Sequence, residues 1–168
     1  MKRAPVAGEP QIAALLQLLD EAYDKQAWHG PNLRGSLRGL EPAQSAWRPS
    51  AGRKNIWEIA LHAAYWKYCA RRRLTGEKRG SFPLKGSNWF DRSDPNDDQQ
   101  WQADLALLEQ MHRELRGAVA AFPPGKLLVK IGKTKYTPLR LIQGVALHDV
   151  YHAGQIQTLK RLYQAAAA

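Results

Sequence analysis

The sequence predicts an all-α protein, a four-helix bundle within a single domain. Three observations carry this. Four segments of roughly 18 to 26 residues repeat apolar side chains at three-and-four spacing. Helix-start and helix-stop residues punctuate them. The 168-residue length suits one ordinary domain rather than two, so residues 1–168 are read as one unit with an ordered core from about 9 to 164.

The first helix is read in "EPQIAALLQLLDEAYDKQAW" (9–28), where Ile12, Leu15, Leu16, Leu19 and Tyr23 share one face. A Gly-Pro break follows, and Leu33, Leu37 and Leu40 in "HGPNLRGSLRGL" suggest a short extra helix before the turn-rich "EPAQSAWRPSAGRK".

The second long helix, "NIWEIALHAAYWKYCARRRL" (55–74), opens on Asn55 with Glu58 three residues on, a variant of the capping box. After the Gly-rich, charged "TGEKRGSFPLKGSNWF", Asp94 and Pro95 supply a cap and a first-turn proline for a third long helix. Pro123-Pro124-Gly125 stops it. "KLLVKIGKTKYTPL" alternates around a Gly-Lys turn and reads as a small hairpin, or as an ordered loop if its strands find no partner. Thr137 and Pro138 then start the last helix, which runs to Tyr163.

Hydrophobic residues make up 44% and charged residues 24%, globular proportions that rule out a disordered or fibrous reading. No stretch approaches the roughly 20 apolar residues of a membrane span, and "MKRAPVAGEP" lacks the apolar core of a secretion signal. The expectation is a soluble, cytoplasmic protein. Cys69 is the single cysteine, which excludes an internal disulfide and a cysteine-based zinc site. The net charge of +10 attracts polyanions loosely. Yet "RRRLTGEKRG" and Lys126, Lys130, Lys133 and Lys135 come with no nucleic-acid motif, so they read as a solvated basic face rather than a nucleic-acid site.

The chemistry-bearing signal lies in "LHDVYHAGQI". His148 and His152 are four residues apart, some 40° apart on a helix wheel, so both imidazoles can aim at one atom. They share a stripe with Leu141, Val145, Ile156, Leu159 and Leu162. An imidazole in a core needs partners or a metal, because leaving its polar atoms unpaired costs about 1–3 kcal/mol. His62 on the second long helix, at the edge of a face with Ile59, Ala63, Trp66 and Ala70, is a third candidate. His29 is a weak fourth, and His112, in "QMHREL", reads as a surface residue.

"WHGPNLRGSLRGL", "IWEIALHAAYWKYCARRRLTG" and "LIQGVALHDVYHAGQIQTLKRL" together resemble the DinB-like family of metal-carrying proteins over about residues 11–163. The likeness is most specific in the last helix, at His148, His152, Gly154, Gln155 and Ile156. It implies a four-helix bundle of DinB-like type with His62, His148 and His152 as ligands of a divalent metal, commonly zinc or nickel. It also implies dimers in many members, and thiol transfer or hydrolysis where an activity is known.

Three neutral imidazoles leave a divalent charge uncompensated and a coordination position open, the arrangement of catalytic rather than structural zinc. The Irving–Williams order would make such a nitrogen site bind copper tightest and nickel or zinc strongly, so availability picks the ion. Binding is expected to weaken below the histidine range near pH 6.5. Trp66, Tyr65 and Cys69 flank His62 as possible pocket walls, and Gln155 is placed to orient a water or substrate oxygen. Asp149 and Tyr151 point away from His148, so support to the ligands from them is expected only across helices. Glu58 is the carboxylate nearest His62, with capping as its expected job. The reading is a metal-dependent thiol transferase or hydrolase on a small substrate, a low-molecular-weight thiol among the candidates. The alternatives are a non-enzymatic metal-binding or stress-response bundle and, less favoured, a polyanion binder.

Overall fold

A computed structural model describes residues 9–132 and 134–167. Among these residues there are six α-helices and no strand. The long ones are α1 (Pro10–Tyr23), α4 (Ile56–Thr75), α5 (Asp98–Ala120) and α6 (Pro138–Ala166). Between α1 and α4 lie α2 (Leu33–Leu37) and α3 (Pro42–Ala46). The expected bundle is thus observed, with a second short helix where the sequence suggested only turns.

In the ring of four, α4 packs on α5 and α6, and α1 packs on α6 and α5. The diagonal crossings fall between α1 and α4 and between α5 and α6. The long segment after α4 joins neighbours instead. Two apolar clusters fill the interior: one around Trp57, Trp101, Leu61 and Ile156, the other around Leu19, Leu115, Ile142 and Leu74. Burying a side chain of this size stabilises the fold by about 1.5–3 kcal/mol.

Helix starts follow the local chemistry. The Asn55 side chain accepts from the Glu58 amide at 2.8 Å while Glu58 reaches back to the Asn55 amide, so the capping box forms. Arg48 clamps the Glu58 carboxylate with two bonds of 2.8 and 2.9 Å. Burial works to raise the Glu58 pKa, but the Arg48 bonds and charge outweigh it and hold the carboxyl below its usual range.

Three boundaries differ from expectation. The first helix ends at Tyr23 rather than near residue 28. The third long helix starts three residues late, because Asp97 caps it by accepting from the Gln100 amide, while Asp94 accepts from Asn96 in a turn of its own. The hairpin does not form among the described residues. An all-helical bundle offers no edge to pair with, and the segment is tied down instead by a 3-10 turn at Pro124–Lys126, by buried Leu127 and by the Leu139 amide on the Leu127 carbonyl. Lys133 lies outside the described residues. Leu162, expected on the core stripe, is 46% exposed near the end of α6. No helix among the described residues is long and apolar enough to cross a membrane.

Candidate metal centre

α4 and α6 bring His62, His148 and His152 together. The Nε2 atom of His148 lies 3.1 Å from that of His62 and 3.0 Å from that of His152. Tetrahedral zinc with bonds of 2.0–2.1 Å would set such nitrogens about 3.3–3.4 Å apart, so these two sides of the triangle are nearly of ligand size, and the three ligand atoms all lie within 4.8 Å of one another. His62 and His152 are buried and His148 is half-buried.

The outer ring nitrogens decide what the inner ones can do. His62 donates from Nδ1 to the Asn88 carbonyl oxygen at 2.8 Å. A carbonyl only accepts, so that proton sits on Nδ1 and the Nε2 atom presents a lone pair. Gln155 donates its amide to the Tyr151 hydroxyl at 3.0 Å, which turns its Oε1 to His152 Nδ1 at 2.7 Å and fixes the same tautomer there. Two inward lone pairs therefore face one His148 Nε2, and a single shared proton satisfies only one of them well. His148 Nδ1 has no partner although buried. A cation at the centre of the triangle satisfies all three Nε2 atoms at once, so the donor set fits a divalent metal.

Electrostatics agree. Burial, then the neighbouring imidazoles and Lys67, lower His148 to about 3. Burial lowers His152 to about 4 against the opposing bond to Gln155, and burial also lowers His62. All three rings stay neutral at pH 7, as ligation requires. In the folded chain the ring lone pairs are thus kept free of protons below the ordinary histidine range near pH 6.5.

Aromatic side chains frame the group. Trp89 stacks on His62 with centroids 3.9 Å apart and planes at 10°. Trp66 donates from Nε1 to Asn88 Oδ1 at 3.0 Å. Asn88 itself sits at a φ of 67°, the left-handed region, which Asn tolerates better than most residues. Its backbone thus holds one histidine and its side chain a tryptophan.

A cleft of about 560 Å³ opens from the site, with His62 and His148 at one end and Trp66 along its wall. Tyr65 and Cys69 do not line it. They border a neighbouring depression, where Tyr65 packs among Phe82, Phe90 and Tyr68.

A family model for the DinB superfamily matches residues 25–156, well over half of the chain. The chain belongs to the DinB superfamily. No curated protein and no solved structure matches it. In this DinB-superfamily bundle the three-histidine group can hold a metal ion.

Other expected residues fall elsewhere. His29 is exposed and is not part of the histidine group. His112, expected on the surface, is only 4% exposed. The inward face of α5 runs through Asp104, Leu108, Met111, Leu115 and Val119, which puts His112 against Tyr23, the rings stacked at 3.7 Å. Tyr151 supports His152 through Gln155 along its own helix, not across helices.

Sequence reasoning passed over Lys67 and read Asp149 only as pointing away from His148; the two pair across α4 and α6 with both side chains fully buried. Their signal was present: Ala60, Ala63, Lys67, Ala70 and Leu74 follow three-and-four spacing, as do Ile142, Val145, Asp149, His152 and Ile156.

Proposed function

We propose that this DinB-superfamily protein is a metal-dependent enzyme acting on a small substrate, by thiol transfer or by hydrolysis, with zinc or nickel on His62, His148 and His152. The observation that carries this reading is the triangle of Nε2 atoms opening onto a cleft between His62 and His148. A structural ion would call for four protein donors in a closed site. Here three are gathered, and a cleft of about 560 Å³ leads to them.

A divalent ion in that position supplies Lewis acidity, which lowers the pKa of a water or a substrate thiol toward neutrality. The chain's own residues do the rest. Asn88 and Gln155 aim two imidazoles inward. Trp89 covers one face of His62, and Trp66 gives the substrate an apolar wall. Glu58 takes no part in the chemistry, since Arg48 and the helix cap occupy its carboxylate.

The test is a panel of low-molecular-weight thiols with electrophiles, run beside ester and amide substrates, on zinc-loaded and nickel-loaded protein and on His148→Ala. The expected result is metal-dependent turnover of at least one substrate that His148→Ala loses. Turnover unchanged in His148→Ala would place the chemistry elsewhere.

A further inference from the structure

The cleft beside the histidines has a second end. Along α4 its wall runs His62, Trp66, Ala70, Arg73, and along α6 it runs back through Arg140, Gly144 and His148. The two helices are antiparallel there, so the histidines share one end and the two arginines the other. Helix rise sets those ends roughly 12–16 Å apart before side-chain reach is counted. Between them the surface is apolar, with Trp66 on one side and Leu141 and Val145 on the other. At Gly144 an added Cβ would meet nothing within 4 Å, so the middle of the cleft is open space.

The charges at the far end are uncompensated. Among the described residues no carboxylate pairs with Arg73 or Arg140, and none lines this cleft or the two depressions that also share Arg73. Some arginines elsewhere do find carboxylates, as Arg71 finds Glu77 and Glu114, Arg116 finds Asp20 and Arg48 finds Glu58, but what sets Arg73 and Arg140 apart is their place together at the end of an apolar cleft. Guanidinium groups left without an internal partner at the mouth of an apolar cleft suit a bidentate oxyanion.

We propose that the substrate of the histidine site is an elongated small molecule whose apolar body fills the cleft and whose anionic end, a carboxylate or a phosphate, is held by Arg73 and Arg140. This rests on the enzymatic reading above, and it names the class of molecule that reading requires. A cationic substrate meets only like charge at both ends.

The experiment separates the two claims. Binding of 4-phenylbutyrate, 3-phenylpropyl phosphate and neutral 4-phenylbutanamide is measured by calorimetry on the full chain, zinc-loaded and metal-stripped. At least one anion is expected to bind about tenfold or more tighter than the amide in both forms. The tighter anion tells a carboxylate substrate from a phosphate one. Arg73→Gln combined with Arg140→Gln is expected to abolish the preference, and the corresponding Lys pair to keep part of it, with zinc stoichiometry unchanged in both. If the preference appears only with zinc, survives the glutamine pair, or is absent, the arginine site is overturned. If the protein takes up no zinc yet keeps an arginine-dependent preference, the metal reading fails and the anion site stands.

Discussion

The carbonyl oxygen of Asn88 and the Nδ1 of His62 lie 2.8 Å apart, and this single bond, made from a loop, orients a side chain of α4 toward two on α6. A backbone acceptor serves this purpose well, because it cannot rotate away or change its protonation.

Asn88→Gly keeps both the carbonyl and the left-handed backbone, so metal affinity is expected to stay close to that of the parent protein. Asn88→Val cannot hold a φ of 67° without about 1–3 kcal/mol of strain. Its melting point should drop, and its zinc affinity, read against a chromophoric chelator, should weaken about 10–100-fold. Equal affinity in the valine and glycine variants would mean that the loop does not orient His62.

Gln155 holds His152 as Asn88 holds His62, but with a side chain that the Tyr151 hydroxyl steadies. Gln155→Leu is expected to cost about 10–100-fold in zinc affinity. Tyr151→Phe should cost less, since the amide oxygen can still face the ring. A leucine variant that binds zinc like the parent protein would reduce the bond to a packing accident.

Acid should destabilise the metal-free protein well before the site itself protonates. Burial, with Lys67 and Arg116 adding to it, lowers His112 to about 3, and His148 and His152 sit at about 3 and 4. Folded values below the unfolded value of about 6.5 mean that the unfolded chain takes up protons first. The stability is therefore complete above about pH 6.5 and lost as pH falls toward 4 and 3. The melting temperature should decline from pH 7.5 to 5, less steeply in His112→Gln, while zinc affinity at pH 5.5 stays near its neutral value. A melting temperature flat across that range would contradict the burial of neutral histidines.

Lys67 and Asp149 place opposite charges at 0% exposure between α4 and α6. Either Lys67→Met or Asp149→Leu alone strands the other charge and is expected to cost about 3–5 kcal/mol in denaturant unfolding. The double variant should recover most of the loss. If it is no better than the worse single variant, the pair is not what makes the single changes costly.

Much of this was legible from the chain. The four long helices and the Asn55–Glu58 capping box follow from periodicity and end chemistry, and so does the convergence of His148 and His152, which needs only a four-residue spacing. His62 came from phase and family likeness together, since spacing cannot say which stripes meet across a bundle. Local choices between near-equal signals were less readable. Asp94 and Asp97 both cap well, and the later one starts α5. The period-two pattern near residues 126–139 had no sheet to join. Polar residues on apolar stripes were the main loss: Lys67 was passed over, Asp149 was placed only relative to His148, and His112 was read as a surface residue, when the phase of their helices already put them inside. Asn88 left a fainter trace, an asparagine in a Gly-Ser-Asn turn, the side chain most suited to a left-handed backbone besides glycine.

The most direct measurement is a zinc titration of the metal-stripped protein at pH 7.5 with X-ray absorption of the loaded form, repeated on His62→Ala, His148→Ala and His152→Ala. The prediction is one ion per chain with three imidazole nitrogens in its shell, and affinity reduced by orders of magnitude in each variant. A parent protein that takes up no zinc or nickel, or an ion that stays equally bound when any of the three histidines is removed, would contradict the account.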